Sequence, residues 1–234
     1  MKIIKHKRKE LEIRAATLIE KKIREYLKAQ EQVVLGIPGG TSIQGILGLL
    51  KKQNIPWNKV HVFMIDEKLV PLDAPESNFK QAYDLFLEYL TKQKLLPNKN
   101  IHPYIYFNQE DKNGAEAYKN ELREISHKFD IILLSSGEDG HVGSLFPNHE
   151  TIKSEEEFFL ITKSAPKAPQ KRLSASRKLL SRSKTALLLF FSDTKRQAYQ
   201  NFLSKNLSLI DCPAKLINEI QDSHVFTDLE ESKS

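Results

Sequence analysis

Cysteine is almost absent from this sequence: Cys212 stands alone among 234 residues. One thiol cannot close a disulfide within the chain, so a stapled secreted fold is not expected and a reducing cytoplasm is the simple expectation. Long apolar runs are missing too. The longest, at 186–191, is far short of the ~20 residues that a membrane-spanning helix needs. The basic start at Lys2, Lys5, Lys7 and Arg8 is not followed by the apolar core of an export signal, and no membrane partner is expected. Charge of one sign is in modest excess only: 36 Lys and Arg face 30 Asp and Glu, for a formal net charge of +6. That surplus fits an anionic small substrate. Nucleic acid binding calls for a basic stripe interleaved with aromatics, and neither the cluster at 5–9 nor Lys171-Arg172 has that form, so nucleic acid is not expected as a partner.

Several motifs are also lacking. Gly39-Gly40-Thr41-Ser42 has neither the lysine of a nucleotide-binding P-loop nor the GxGxxG spacing, which argues against ATP and NAD. Gly143-Ser144-Leu145 is not the GxSxG turn that presents a nucleophilic serine; Ser144 is read as fixing its loop. There is no cysteine cluster and no helical HxxxH pair. No metal and no cofactor are expected.

What is present is an alternation of periodic segments. Hydrophobic residues make up 40% and charged residues 28% of the chain, ordinary values for a packed domain. Leu11, Ala15, Leu18, Ile19, Ile23 and Leu27 recur at helical spacing. Helices are also expected over 43–52, 78–93, 115–128, 174–181 and 195–207. Strands are expected over 33–37, 60–65, 131–134, 158–162 and 187–191. Alternating strands and helices predict an α/β fold, a mostly parallel, Rossmann-like sheet with helices on both faces. A single domain is expected over 1–227, followed by an unfolded tail over 228–234, and a monomer is expected.

In such sheets ligands bind where loops leave the carboxyl ends of strands, which singles out the loops at 38–42, 66–78 and 137–147. The first, Gly39-Gly40-Thr41-Ser42, can bring backbone N–H groups and hydroxyls to a phosphate, or Thr41 or Ser42 can simply cap the following helix. The second places Asp66, Glu67 and Lys68 at a strand end, as a site or as a solvated edge, and Ser77-Asn78 can cap the next helix. The third, Gly137-Glu138-Asp139-Gly140-His141, delivers an acid and an imidazole together. Histidine takes a proton from water near neutral pH, and Asp139 can set its tautomer and stabilise its charged form.

These residues, in this order, resemble the 6-phosphogluconolactonase family. The match comprises Gly39-Gly40-Thr41-Ser42; Asp66-Glu67-Lys68-Leu69-Val70-Pro71 with Ser77-Asn78; Gly137-Glu138-Asp139-Gly140-His141 with Ser144-Leu145-Phe146-Pro147; Pro166-Lys167-Ala168-Pro169 with Arg172-Leu173-Ser174; and Pro213-Ala214. The related glucosamine-6-phosphate deaminases share the Asp-Gly-His core but typically continue into an Asn-Glu-Pro type sequence, where this chain has Ser-Leu-Phe-Pro. The resemblance implies hydrolysis of 6-phospho-D-glucono-1,5-lactone to 6-phosphogluconate in the oxidative pentose phosphate pathway. It implies His141 as general base, Asp139 as its partner, and a sugar-phosphate grip from Gly39, Gly40, Thr41, Ser42, Asp66, Lys68, Lys167 and Arg172. The rival readings are a deaminase and isomerase using Asp66 as carbon base, and a non-catalytic sugar-phosphate binder. Three positions depart from the family pattern: Lys68 replaces an arginine and its flat two-pronged grip, Val142 replaces a threonine, and Ser192 replaces the glycine ahead of Lys195.

Overall fold

A computed structural model of the chain describes residues 1–106 and 112–229. In chain order the strands are β1 (Lys2–Lys5), β2 (Val33–Ile37), β3 (Val60–Met64), β4 (Asp66–Lys68), β5 (Ile101–His102), β6 (Ile131–Ser135), β7 (Phe159–Thr162), β8 (Arg172–Ala175), β9 (Thr185–Phe190) and β10 (Asp222–Thr227). The helices are α1 (Arg8–Tyr26), α2 (Gln44–Leu50), α3 (Asn78–Ala82), α4 (Glu88–Lys92), α5 (Lys112–Ile125), α6 (Glu150–Lys153), α7 (Arg177–Ser181) and α8 (Arg196–Leu203). A π turn at Tyr83–Leu87 joins α3 to α4, so the helix expected over 78–93 is present with an underwound middle.

Seven strands form one parallel sheet in the order β1-β10-β9-β6-β2-β3-β5. Its central strands read Val-Val-Leu-Gly-Ile, Ile-Ile-Leu-Leu-Ser and Thr-Ala-Leu-Leu-Leu-Phe because both faces are covered and neither side of the pleat meets water. Alternate side chains separate into two cores. Val34, Ile132, Leu134, Leu188 and Phe190 pack with Tyr118 and Leu122 of α5, Leu179 and Leu180 of α7, and Phe202 of α8. Leu35, Ile131, Leu133, Leu187 and Leu189 pack with Leu11, Ala15, Ile19 and Ile23 of α1 and Ile46, Leu47 and Leu50 of α2. The expected α/β class with helices on both faces is the observed one.

From β2 the chain winds to β3 and β5; from β6 it winds the other way to β9 and β10. The loops after β2 and β6 therefore diverge between neighbouring strands, which opens a crevice at the carboxyl edge of the sheet. A second sheet, β4-β8-β7, is antiparallel and caps that edge.

Three expectations are corrected. The helix expected from 174 begins at Arg177: Arg172–Ala175 is strand β8, with Leu173 and Ala175 buried and its backbone paired on both sides, and Ser176 starts the helix by accepting the N–H of Leu179 at 3.1 Å. The helix expected over 195–207 ends at Leu203. The packed chain continues beyond the boundary expected at 227: Leu229 is 4% exposed in the core, and Asp228 accepts the N–H of Ser192 at 2.9 Å. Residues 230–234 of the expected tail lie outside the described residues.

Candidate active site

At the end of β6 the N–H of Ser136 extends the ladder to the carbonyl of Leu189 at 3.0 Å, and the chain then turns sharply. The N–H of Gly140 meets the carbonyl of Gly137 at 3.2 Å, and the N–H of Gly137 meets the carbonyl of His141 at 2.8 Å. This path folds the His141 ring back onto Gly137. A Cβ there would lie 2.0 Å from both Cε1 and Nδ1 of the ring, so the close approach requires glycine. His141 Nδ1 is 2.5 Å from Asp139 Oδ1. An ionised carboxylate only accepts, so Nδ1 carries the proton and the lone pair sits on Nε2. Burial pushes the Asp139 carboxyl up, but the hydrogen bond and charge of His141, with Lys167 nearby, outweigh it and hold Asp139 well below the usual carboxylate range. The Phe146 ring lies 4.9 Å from the His141 ring, tilted 48° to it.

Ser144 is fully buried. Its hydroxyl donates to Asp66 Oδ2 at 3.1 Å, and its N–H donates to Ser174 Oγ at 3.1 Å. It ties the His141 loop to β4 and β8, as expected of a loop-fixing residue.

Across the crevice, Lys68 of β4 stands directly opposite Arg172 of β8. Like charges in facing positions repel, and burial pushes both pKa values down, against the pull of Asp66 and Glu67. Lys68 Nζ donates to Asn78 Oδ1 at 2.6 Å. Arg172 donates through Nε to the Pro169 carbonyl at 2.9 Å, and through Nη2 to the carbonyls of Lys167 and Ala168 at 3.2 and 3.3 Å. Among the described residues neither cation belongs to an ion pair. Glu67 attracts both cations at a distance but forms no ion pair with either among the described residues. It is 1% exposed and accepts the N–H groups of Lys68, Asn78 and Phe79 and the Ser77 hydroxyl, so it serves the start of α3, with burial raising its pKa.

The third wall is the loop after β2. Gly39 packs against Asn78, whose Oδ1 lies 2.1 Å from where a Cβ would be. Arg8 Nη2 donates to the carbonyls of Thr41 and Ser42 at 3.2 and 3.4 Å and pins the loop from outside. Thr41 and Ser42 do not cap α2: the flanking N-cap positions are Gly40 and Ile43, and no side-chain capping bond forms. Ser77, by contrast, does cap α3, accepting the N–H of Lys80 at 3.1 Å.

These walls enclose a cavity of about 300 Å³ lined by Gly39, Gly40, Thr41, Ser42, Asp66, Lys68, His141, Lys167 and Arg172. All the site residues singled out in the sequence are thus together, with Asp139 behind His141. The same cavity is lined by Asn78, Glu138, Gly143 and Lys195, which were not named as site residues. Asn78 was read as a helix cap; its contact with Lys68 depends on β4 and α3 meeting in space. Lys195 follows Ser192, which has φ +75° and ψ 156°, the region glycine adopts readily. Burial lowers the Lys195 pKa, partly offset by Glu138 and Asp139. Among the described residues no group of three His, Cys, Asp or Glu stands close enough to hold a metal ion.

Residues 6–226 match the family model for glucosamine-6-phosphate isomerases/6-phosphogluconolactonase. The chain is 34% identical over 200 residues to the 6-phosphogluconolactonase of Borreliella burgdorferi, covering 86% of this chain and 85% of that one. It is 29% identical to the Synechocystis 6-phosphogluconolactonase over 211 residues, 87% of this chain and 85% of the relative. In structure it superposes on a 6-phosphogluconolactonase from Shewanella baltica with a TM-score of 0.83 at 21% identity, covering 97% of this chain and 96% of the other. A monomeric glucosamine-6-phosphate deaminase superposes with a TM-score of 0.81 at 21% identity, covering 97% of each chain, so the fold alone does not separate the two chemistries. By sequence and by fold, the chain belongs to the glucosamine-6-phosphate isomerase/6-phosphogluconolactonase family.

Proposed function

We propose that the chain hydrolyses 6-phospho-D-glucono-1,5-lactone to 6-phosphogluconate, the ring-opening step of the oxidative pentose phosphate pathway. The relatives at 29–34% identity over most of the chain carry that name. The observation that carries the reading is the two-ended cavity. A carboxylate-oriented imidazole stands at one end, and facing cations with no ion-pair partner among the described residues stand at the other.

A six-membered lactone bearing a phosphate fits this polarity. The phosphate is held by Lys68, Arg172, the hydroxyls of Thr41 and Ser42 and the backbone of Gly39 and Gly40. Nε and Nη2 of Arg172 are occupied by carbonyls, which leaves Nη1 for the ligand. Lys167 adds positive charge beside the sugar, and Asp66 faces a hydroxyl. Holding the phosphate fixes C1 against His141, so distant charge contributes to rate through positioning. Nε2 of His141 takes a proton from water as the hydroxide oxygen bonds to C1. The tetrahedral intermediate then collapses: the C1–O5 bond breaks, and the ring oxygen takes the proton back from Nε2. Asp139 stabilises the imidazolium between these steps. The acid product ionises and drives the reaction forward.

We infer a monomer, and the single cysteine, Cys212, supports action in a reducing cytoplasm. Sedimentation at working concentration checks the first point. For the reaction, purified protein is mixed with freshly generated lactone and acid release is followed at constant pH. The reading requires release well above the buffer rate. Absence of acceleration would sink it, and ammonia released from glucosamine 6-phosphate would install the deaminase reading instead.

A further inference from the structure

Lys167 and the carbonyls that hold Arg172 sit on the loop between β7 and β8. That loop is tied at both ends. At its far end Arg172 grips the carbonyls of Lys167, Ala168 and Pro169. Its near end is tied to the segment that follows the Ser144-Leu145-Phe146-Pro147 run. The N–H of Phe146 donates to Thr151 Oγ1 at 3.1 Å, and that hydroxyl lies 3.1 Å from His149 Nδ1. The N–H of Thr151 also donates to His149 Nδ1 at 3.3 Å. Nδ1 therefore accepts, the ring proton lies on Nε2, and Nε2 donates to the carbonyl of Ser164 at 3.1 Å. Glu150 Oε1 accepts the hydroxyls of Ser164 at 2.7 Å and Thr162 at 2.9 Å. Beyond this point Ala165 is fully buried, and its N–H meets the carbonyl of Gln170 at 3.1 Å, which closes a short exposed excursion carrying Lys167.

Phe146 joins this arrangement to the chemistry. Its ring lies 4.9 Å from the His141 ring and 5.8 Å from that of His149, and Arg172 lies 5.8 Å from its centroid. One aromatic ring thus touches the proposed base, the near tie and the far tie of the loop.

We propose that His149 and Glu150 are positioning residues that latch the 164–171 loop and thereby set the affinity for the phosphorylated sugar. They act through Ser164 and touch no substrate. The proposal rests on the lactonase reading above for its kinetic readout, but the latch itself has an independent one. Trypsin cleavage after Lys163 or Lys167, followed by mass spectrometry without substrate, reports loop opening.

Four proteins decide the matter: wild type, His149→Ala, Glu150→Ala and His149→Gln, whose amide can replace the donor to Ser164. The expected result for His149→Ala and Glu150→Ala is a KM for the lactone raised about fivefold with kcat within about twofold, and faster loop cleavage. His149→Gln returns KM and cleavage toward wild type. Glu150 is exposed, so its variant keeps the test open if His149→Ala does not fold. A purely structural role would lower thermal stability without moving KM, and that result overturns the proposal. So does faster cleavage with unchanged KM, or a fall in kcat alone. If the wild type itself has no lactonase activity while the cleavage pattern behaves as expected, the substrate reading has failed and not the latch.

Discussion

At the His141 end of the cavity, five consecutive residues set the geometry. Gly137 yields the space, Asp139 orients the ring, and Gly140 turns the chain. At the Lys68–Arg172 end the geometry is assembled from parts far apart in the chain: β4, β8, the loop after β2, and Asn78 at the start of α3. A locally built base cannot be altered without losing its geometry. A grip of the proposed kind spreads its charge over several side chains and tolerates exchange, which accommodates a lysine at 68 where the family resemblance leads one to expect arginine. The two ends are accordingly expected to fail in different kinetic parameters.

The largest effect belongs to the locally built end. His141→Ala removes the proton carrier, and kcat for the lactone should fall about 10²–10⁴-fold, with an unchanged circular dichroism spectrum. Near-full turnover would erase the distinction between the ends. At the other end, Lys68→Ala should raise KM about tenfold and leave kcat within about threefold, because in the proposed binding mode Arg172 and the loop after β2 still hold the phosphate. A fall in kcat alone would show that Lys68 serves the reacting carbon instead.

Asp139 sharpens the comparison through pH. Its folded pKa is depressed, so its contribution to stability is fully present above the unfolded value of about 3.9 and is lost as pH falls through the folded one. Thermal unfolding of wild type and Asp139→Asn should therefore differ at neutral pH, with the wild type more stable. The gap should narrow steadily below about pH 4. A gap independent of pH would mean that the carboxylate charge is not what holds the loop.

The smallest effect lies in the turn that leads to Lys195. Ser192 has φ +75° and ψ 156°, a conformation that costs a non-glycine residue on the order of 1 kcal/mol. Ser192→Gly should raise stability by up to that amount, a shift of ~2–4 °C in Tm for a chain of this size. An unchanged or lower Tm would show that the Ser192 hydroxyl, 2.9 Å from Thr194 Oγ1, offsets the strain.

Legibility of the sequence follows the same division. Strands β2, β3 and β6 were visible as apolar runs because two-sided burial leaves no polar alternation, and the His141 loop was visible because its parts are contiguous. Strands β1 and β10 were not. Lys2–Lys5 is an edge strand of four mostly exposed residues, and Asp222–Thr227 carries Asp222, Ser223, His224 and Thr227 among its six positions. Within β10, Asp222 Oδ1 lies 2.8 Å from His224 Nε2 and Asp222 Oδ2 accepts the Thr185 hydroxyl at 2.8 Å, and long-range pairing with β9 makes it a strand. In β8, Arg172 and Ser174 alternate with Leu173 and Ala175, but four residues running straight into a helix cap read as part of that helix. The facing of Lys68 and Arg172 was invisible for the same reason, since it depends on antiparallel register. Lys195 was recognised only as a family position; its arrival in the cavity depends on where β9 ends.

The most direct test of the two-ended site is a crystal structure of the protein with 6-phosphogluconate bound. The phosphate should lie between Lys68, Arg172 and the Gly39-Gly40-Thr41-Ser42 loop, with the C1 carboxylate within hydrogen-bond reach of His141 Nε2. A product bound the other way round, its phosphate against His141 and its carboxylate between Lys68 and Arg172, would contradict the account.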